Sequence, residues 1–124
     1  MKSIVIDDSR TVRKMLCHYM QALNFHTLEA EDGCEALACL GEEDPACIDL
    51  ALIDWDMPRM TGIEFLREIR SCEEYDHLKV MMVTSHNKPE DLMKAIELGA
   101  DEFLMKPFDE EMLQDKLRIL GMLN

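Results

Sequence analysis

The sequence has no run of about 18 apolar residues, which excludes an ordinary membrane-spanning helix. Its opening, Met1-Lys2-Ser3-Ile4-Val5-Ile6-Asp7-Asp8, reaches two acids too early for the apolar stretch of a secretion signal. Basic charge is scarce: 13 Lys and Arg stand against 26 Asp and Glu, a formal net charge of -13. Such a surface repels a nucleic-acid duplex and an anionic membrane, so neither is expected as a partner. Cysteines at metal-binding spacing are also missing. Cys17, Cys34, Cys39, Cys47 and Cys72 are odd in number, and none belongs to a CxxC pair. A disulfide framework or zinc site is therefore not expected, and most of the thiols read as small core or boundary residues in a reducing cytoplasm. Internal repeats, low-complexity tracts and linkers are absent too.

What is present suits one domain spanning residues 1–124, with 48% apolar residues to fill a single core. The eleven methionines read as core filling. Along the chain, short apolar runs alternate with helical patterns. Ile4-Val5-Ile6 stops at Asp7-Asp8. Val12, Met15, Leu16, Tyr19, Met20 and Leu23 then recur at helical spacing, with Asp8 or Ser9 as the cap. Phe25 to Ala30 alternates as a strand, Gly33 breaks the chain, and Cys34 to Leu40 makes a short helix. Leu50-Ala51-Leu52-Ile53 stops at Asp54. Pro58 and Gly62 bound a loop, and Ile63 to Arg70 forms a helix with Phe65, Leu66 and Ile69 inward. Val80-Met81-Met82-Val83 ends at Thr84. Pro89 opens a helix that is expected to bury Leu92, Ala95 and Ile96, and Gly99 follows its end. Phe103-Leu104-Met105 stops at Lys106-Pro107, and Met112, Leu113, Lys116, Leu117 and Leu120 mark the last helix.

Five successive βα units imply parallel pairing with right-handed crossovers, and fully apolar runs imply strands covered on both faces. The alternating second strand belongs at an edge. The expected fold is α/β, a doubly wound five-stranded parallel sheet with five helices, in the flavodoxin-like order 2-1-3-4-5. That order is taken over from flavodoxin-like sheets and not worked out from spacing.

Four of the five strands end on polar residues: Asp7-Asp8, Asp54, Thr84 and Lys106. In an open parallel sheet these ends share one edge, where ligands bind. Each residue alone has an ordinary use as a helix cap, a strand end or a solvated charge; four coincidences at equivalent places do not. Three carboxylates in one pocket repel one another, and a divalent cation relieves that repulsion. An all-oxygen set favours Mg²⁺, with Mn²⁺ as the alternative. A carboxylate beside such a metal can attack a phosphoryl group. The metal, a lysine and a hydroxyl can then neutralise and hydrogen-bond the phosphoryl oxygens.

Asp7-Asp8-Ser9-Arg10, Asp54-Trp55-Asp56-Met57-Pro58-Arg59-Met60-Thr61-Gly62, Thr84-Ser85 and Lys106-Pro107-Phe108 together resemble the receiver domain of bacterial response regulators. The resemblance covers the whole chain and leans toward CheY-type single-domain, chemotaxis regulators. It implies Asp54 as phosphoacceptor, Asp8 as a direct Mg²⁺ ligand, Asp7 acting through a bound water, and the Asp56 backbone carbonyl as the remaining protein ligand. It implies Thr84 as the switch hydroxyl, Lys106 as the partner first of Asp54 and then of the phosphoryl oxygens, and Phe103 as the switch aromatic. Phe103 stands where tyrosine often stands, and Asp56 where asparagine often stands. Asp56 and His86 are placed to tune the phosphoryl lifetime.

The expected partners are a sensor histidine kinase or phosphotransfer protein upstream and a protein target downstream. The target would dock on the face of the fourth helix, fifth strand and fifth helix, with Leu92, Phe103, Met105 and Lys116. With Asn124 soon after the last helix, output is expected from docking and not from an attached domain. The protein reads as a switch with slow self-dephosphorylation, not as a turnover enzyme. Two rivals remain in view. One is a small Mg²⁺-dependent haloacid-dehalogenase-like phosphatase using Asp54-x-Asp56, although in those enzymes the pair follows the first strand. The other is a receiver-shaped binding module that is never phosphorylated, against which stands the full set of site residues. A flavodoxin is set aside because no Ser/Thr/Gly-rich phosphate loop follows Ile4-Val5-Ile6.

Overall fold

In the computed structural model, which describes residues 1–124, the apolar runs become β1 (Lys2–Ile6), β2 (His26–Ala30), β3 (Leu50–Asp54), β4 (Lys79–Thr84) and β5 (Glu102–Met105). They form one parallel sheet in the order β2-β1-β3-β4-β5. The connections are α1 (Arg10–Ala22), α2 (Gly33–Gly41), α3 (Gly62–Arg70) and α4 (Pro89–Glu97), and α5 (Glu110–Ile119) follows β5. Short 3₁₀ turns at Pro45–Cys47 and Glu73–Tyr75 lead into β3 and β4.

The two-residue period of the strands divides the core. Ile4, Ile6, Ala51, Ile53, Val80 and Met82 point to one face, where Leu40, Phe65, Leu66, Ile69 and Ala95 of α2, α3 and α4 cover them. Val5, Leu50, Leu52, Met81, Val83 and Leu104 point to the other, under Leu16, Met20, Leu113 and Leu117 of α1 and α5. Removing one of these side chains, as in Leu52→Ala, costs about 2–5 kcal/mol because the sheet between two helical layers cannot collapse into the hole.

Side chains cap most helix starts. Ser9 accepts from Val12 N, Asp32 from Glu35 N and Asp109 from Met112 N, while Thr61 and Glu64 form a reciprocal capping box. Pro89 fills the first position of α4, and Gly99, at φ +111°, turns the chain out of it.

Some expectations change. Ile96 is 45% exposed because it lies on the outer side of α4, whose one buried residue is Ala95. Gly33 does not break the chain but opens α2, packed so closely on Met60 that a Cβ would meet its sulfur. Cys17 is buried and Cys39 half-buried, but Cys34, Cys47 and Cys72 lie exposed on helix ends and connections. Met93 and Met112 are exposed rather than core residues.

Candidate functional site

The register carries the polar strand ends to one place. Ile6 pairs with Ile53, so Asp7 and Asp54 leave adjacent central strands side by side. Asp54 pairs with Val83 and Thr84 with Met105, which sets the fourth and fifth ends alongside. The backbone continues the pattern past the strands: Trp55 N donates to Val83 O at 3.2 Å, and Lys106 N to Thr84 O at 2.8 Å. Lys106 precedes a cis proline, Pro107.

Carboxylate oxygens of Asp7, Asp8 and Asp54 all lie within 4.8 Å of one another. Asp7 and Asp54 are buried, and Asp8 is exposed at the rim. Lys106 Nζ donates to Asp54 Oδ1 at 3.1 Å and stands 3.7 Å from Asp7 Oδ2. Asp7 Oδ1 accepts from Ser9 N at 2.8 Å, but Asp7 Oδ2 is buried without a hydrogen-bond partner. A buried carboxylate oxygen left in that state is costly.

Burial, and then the neighbouring Asp7 charge, push the Asp54 carboxyl up to about 6 despite Lys106. Burial also raises Asp7, against the Ser9 N–H and Lys106. For Lys106 burial is the largest influence and favours the neutral amine, but bonding to Asp54 and the Asp7 charge outweigh it and raise its pKa. One ammonium thus leaves three acids incompletely neutralised. The orphaned Asp7 oxygen, the repulsion and the all-oxygen donor set fit a hard divalent cation rather than zinc.

Thr84 is buried, and its Oγ1 accepts the His86 N–H at 2.8 Å. The His86 ring stacks on Trp55, with centroids 4.6 Å apart and an interplanar angle of 17°. Its Nε2 lies 3.0 and 3.1 Å from the two carboxylate oxygens of Asp56. The Asp56 side chain is 70% exposed. Asp56 is therefore engaged at the mouth by His86.

Phe103 is half-buried beside Met82, and Lys116 Nζ stands 5.1 Å from its ring centroid, held by Glu102 at 3.0 Å. Leu92, Met105 and Lys116 are likewise half-buried. Met93 and Ile96, 56% and 45% exposed, add apolar surface on α4, and Met112 and Ile119 add it on α5.

Several supporting residues escape a reading of strand ends. Arg13 is buried on α1; its Nη1 donates to the Asp7 carbonyl at 2.9 Å and its Nε to Glu29 at 3.1 Å, tying the backbone between Asp7 and Asp8 to β2. The signal was available, because Arg13 shares one face with Leu16, Cys17 and Met20 at i+3, i+4 and i+7. Arg59, at φ 67°, pairs with the buried Asp32 at 3.1 Å and fastens the loop after β3 to the start of α2. Gly62 is required by close approach: a Cβ there would collide with the Asp54 carbonyl oxygen.

Comparison with known proteins agrees with this arrangement. The chain is 38% identical over 118 residues to chemotaxis protein CheY-3 of Vibrio cholerae serotype O1, covering 94% of this chain and 88% of that one. It is 36% identical over 118 residues to chemotaxis protein CheY of Pseudomonas aeruginosa, covering 94% and 93%. The high-resolution structure of the chemotaxis response regulator CheY4 of Vibrio cholerae superposes with a TM-score of 0.88 at 33% identity, over 96% of this chain and 97% of that one. Residues 4–118 match the response regulator receiver domain, and with the carboxylate triad, the lysine and the β2-β1-β3-β4-β5 sheet in place, the chain belongs to that family.

Proposed function

We propose that residues 1–124 act as one chemotaxis-type receiver, a two-component switch that takes a phosphoryl group onto Asp54 with Mg²⁺ in the acidic pocket. The observation that carries this reading is Asp54 itself: a buried carboxylate, held by Lys106 at 3.1 Å, within 4.8 Å of two further acids. Asp8, Asp54, the Asp56 carbonyl and, through water, Asp7 would hold the ion. When bound, Mg²⁺ neutralises the acids and supplies positive charge for the phosphoryl oxygens.

The residues of the chain account for the rest. Lys106 engages Oδ1 and leaves Oδ2 to attack the phosphorus of a phosphohistidine donor on a sensor kinase or phosphotransfer protein. The new O–P bond forms as the donor's P–N bond breaks, and the imidazole leaves with its electron pair and takes up a proton. Lys106, kept cationic by its acidic neighbours, then pairs with the phosphoryl oxygens. Thr84 follows the phosphoryl group, Phe103 turns inward behind it, and the surface with Leu92, Phe103, Met105 and Lys116 changes for a downstream protein target. The apolar exposure of Met93, Ile96 and Met112 supports that face.

His86 shields the phosphoryl group from water and Asp56 influences the attacking water, so the pair sets how long the signal lasts. Phosphorylation is stoichiometric, with slow self-dephosphorylation in place of turnover. No helix is long and apolar enough to cross a membrane, and the cytoplasm is the compartment where a kinase-fed switch would work. The transmitted switch is tested with beryllofluoride, a phosphoryl mimic, in Mg²⁺. Amide signals should change from Thr84 through Met105; changes confined to the loops around Asp54 would sink it.

A further inference from the structure

Four contacts meet at His86, in the connection between β4 and α4. Its backbone N–H donates to Thr84 Oγ1 at 2.8 Å. Its ring stacks on Trp55, and Nε2 contacts Asp56, both in the loop after β3. Nδ1 faces Asp91 Oδ2 at 3.5 Å, long for a hydrogen bond but close for a polar contact. Asp91 lies in the first turn of α4. One half-buried ring therefore bridges the mouth of the acidic pocket to α4, while the same residue's N–H holds the hydroxyl of Thr84.

We propose that Asp91 and His86 form a latch that holds the unphosphorylated conformation, with Asp91 as a positioning residue that acts on Thr84 through His86. The inference rests on the reading of Asp54 as acceptor and Thr84 as switch hydroxyl. For Thr84 Oγ1 to move toward a phosphoryl group on Asp54, one of two things must happen. Either the 2.8 Å bond from His86 N–H opens, or His86 follows and its ring leaves Trp55, Asp56 and Asp91. Both routes draw on the contacts that fix His86, so those contacts set part of the resting bias of a two-state equilibrium. Asp91 is the one anchor that lies outside the phosphorylation site, and its removal loosens the ring without altering the acceptor, the acids or Lys106.

The only tryptophan, Trp55, is one wall of the latch, so its fluorescence reports the ring's departure. The experiment titrates wild type, Asp91→Ala and Glu90→Gln with beryllofluoride at fixed, saturating Mg²⁺, reading Trp55 emission and the Thr84 amide signal. Glu90 is an exposed acid in the same first turn, so Glu90→Gln removes equal charge from the helix start. Losing a partly exposed polar contact should lower the beryllofluoride midpoint of Asp91→Ala about two- to five-fold. Glu90→Gln should keep the wild-type midpoint. Equal midpoints for Asp91→Ala and wild type would overturn the latch while leaving the acceptor reading intact. An equal shift in Glu90→Gln would overturn it too, by assigning the effect to the charge of α4. A wild type that does not respond to beryllofluoride would instead overturn the acceptor reading on which the latch rests.

Discussion

Replacing Asp54 with Asn should stabilise the metal-free protein, although it removes an ion pair. Asp54 is 5% exposed, and its carboxyl is pushed from the ordinary 3.8 up to about 6, by burial first and the Asp7 charge second. At about 1.4 kcal/mol per pH unit, that rise corresponds to about 3 kcal/mol of destabilisation by the ionised form. The attraction of Lys106 is already contained in that value. The native state keeps the proton to higher pH than the unfolded chain, so between about pH 4 and pH 6 it binds more protons and its stability falls as pH rises. Above pH 6 the penalty is complete, and below pH 4 it is absent. Asn resembles the protonated acid and escapes it.

Urea unfolding without Mg²⁺ should therefore show Asp54→Asn more stable than wild type by up to about 3 kcal/mol at pH 7.5, and nearly equal to it at pH 4. The melting point at pH 7.5 should rise on the order of 10 °C. Mg²⁺ should narrow the gap, because it binds the native wild type and relieves the same repulsion. A variant as stable as wild type, or less stable, at pH 7.5 would refute the account of a strained acidic pocket.

Other substitutions separate the remaining parts. Asp8→Asn should weaken Mg²⁺ binding at least about tenfold, measured by calorimetry, and unchanged affinity would remove Asp8 from the ligand set. Arg13→Ala should cost about 1.5–3 kcal/mol in urea unfolding, since it strips a charged donor from the buried Asp7 carbonyl; a neutral result would make the 2.9 Å bond incidental. His86→Ala should speed decay of the phosphorylated form, followed after removal of the donor, with little change in uptake. An unchanged decay rate would return His86 to an ordinary loop residue.

The fold was legible because each central strand is a short, fully apolar run that stops at a polar residue, as Leu50–Ile53 stops at Asp54. The polar stops also gave the acidic pocket and Lys106, because parallel strands must bring their C-terminal ends to one edge. Helical spacing alone does not show that Ile96 faces outward, because it carries no information on how shallowly α4 lies on the sheet, where only Ala95 is buried. Residue type alone does not place Cys34, Cys47 and Cys72, which their positions on helix ends and connections leave exposed. The contact of Asp32 with Arg59 joins segments far apart in sequence, and no local pattern encodes it. Arg13 could have been found, because a charge on an apolar helix face has to be satisfied by something.

The central claim is that Asp54 is the phosphoacceptor. Its most direct test is mass spectrometry of intact protein and its peptides after incubation with acetyl phosphate and Mg²⁺. Wild type should gain one phosphoryl group, mapped to the peptide containing Asp54 and abolished by chelation, while Asp54→Asn should gain none. Full labelling of Asp54→Asn, or a wild-type phosphoryl group mapped to another residue, would contradict the account.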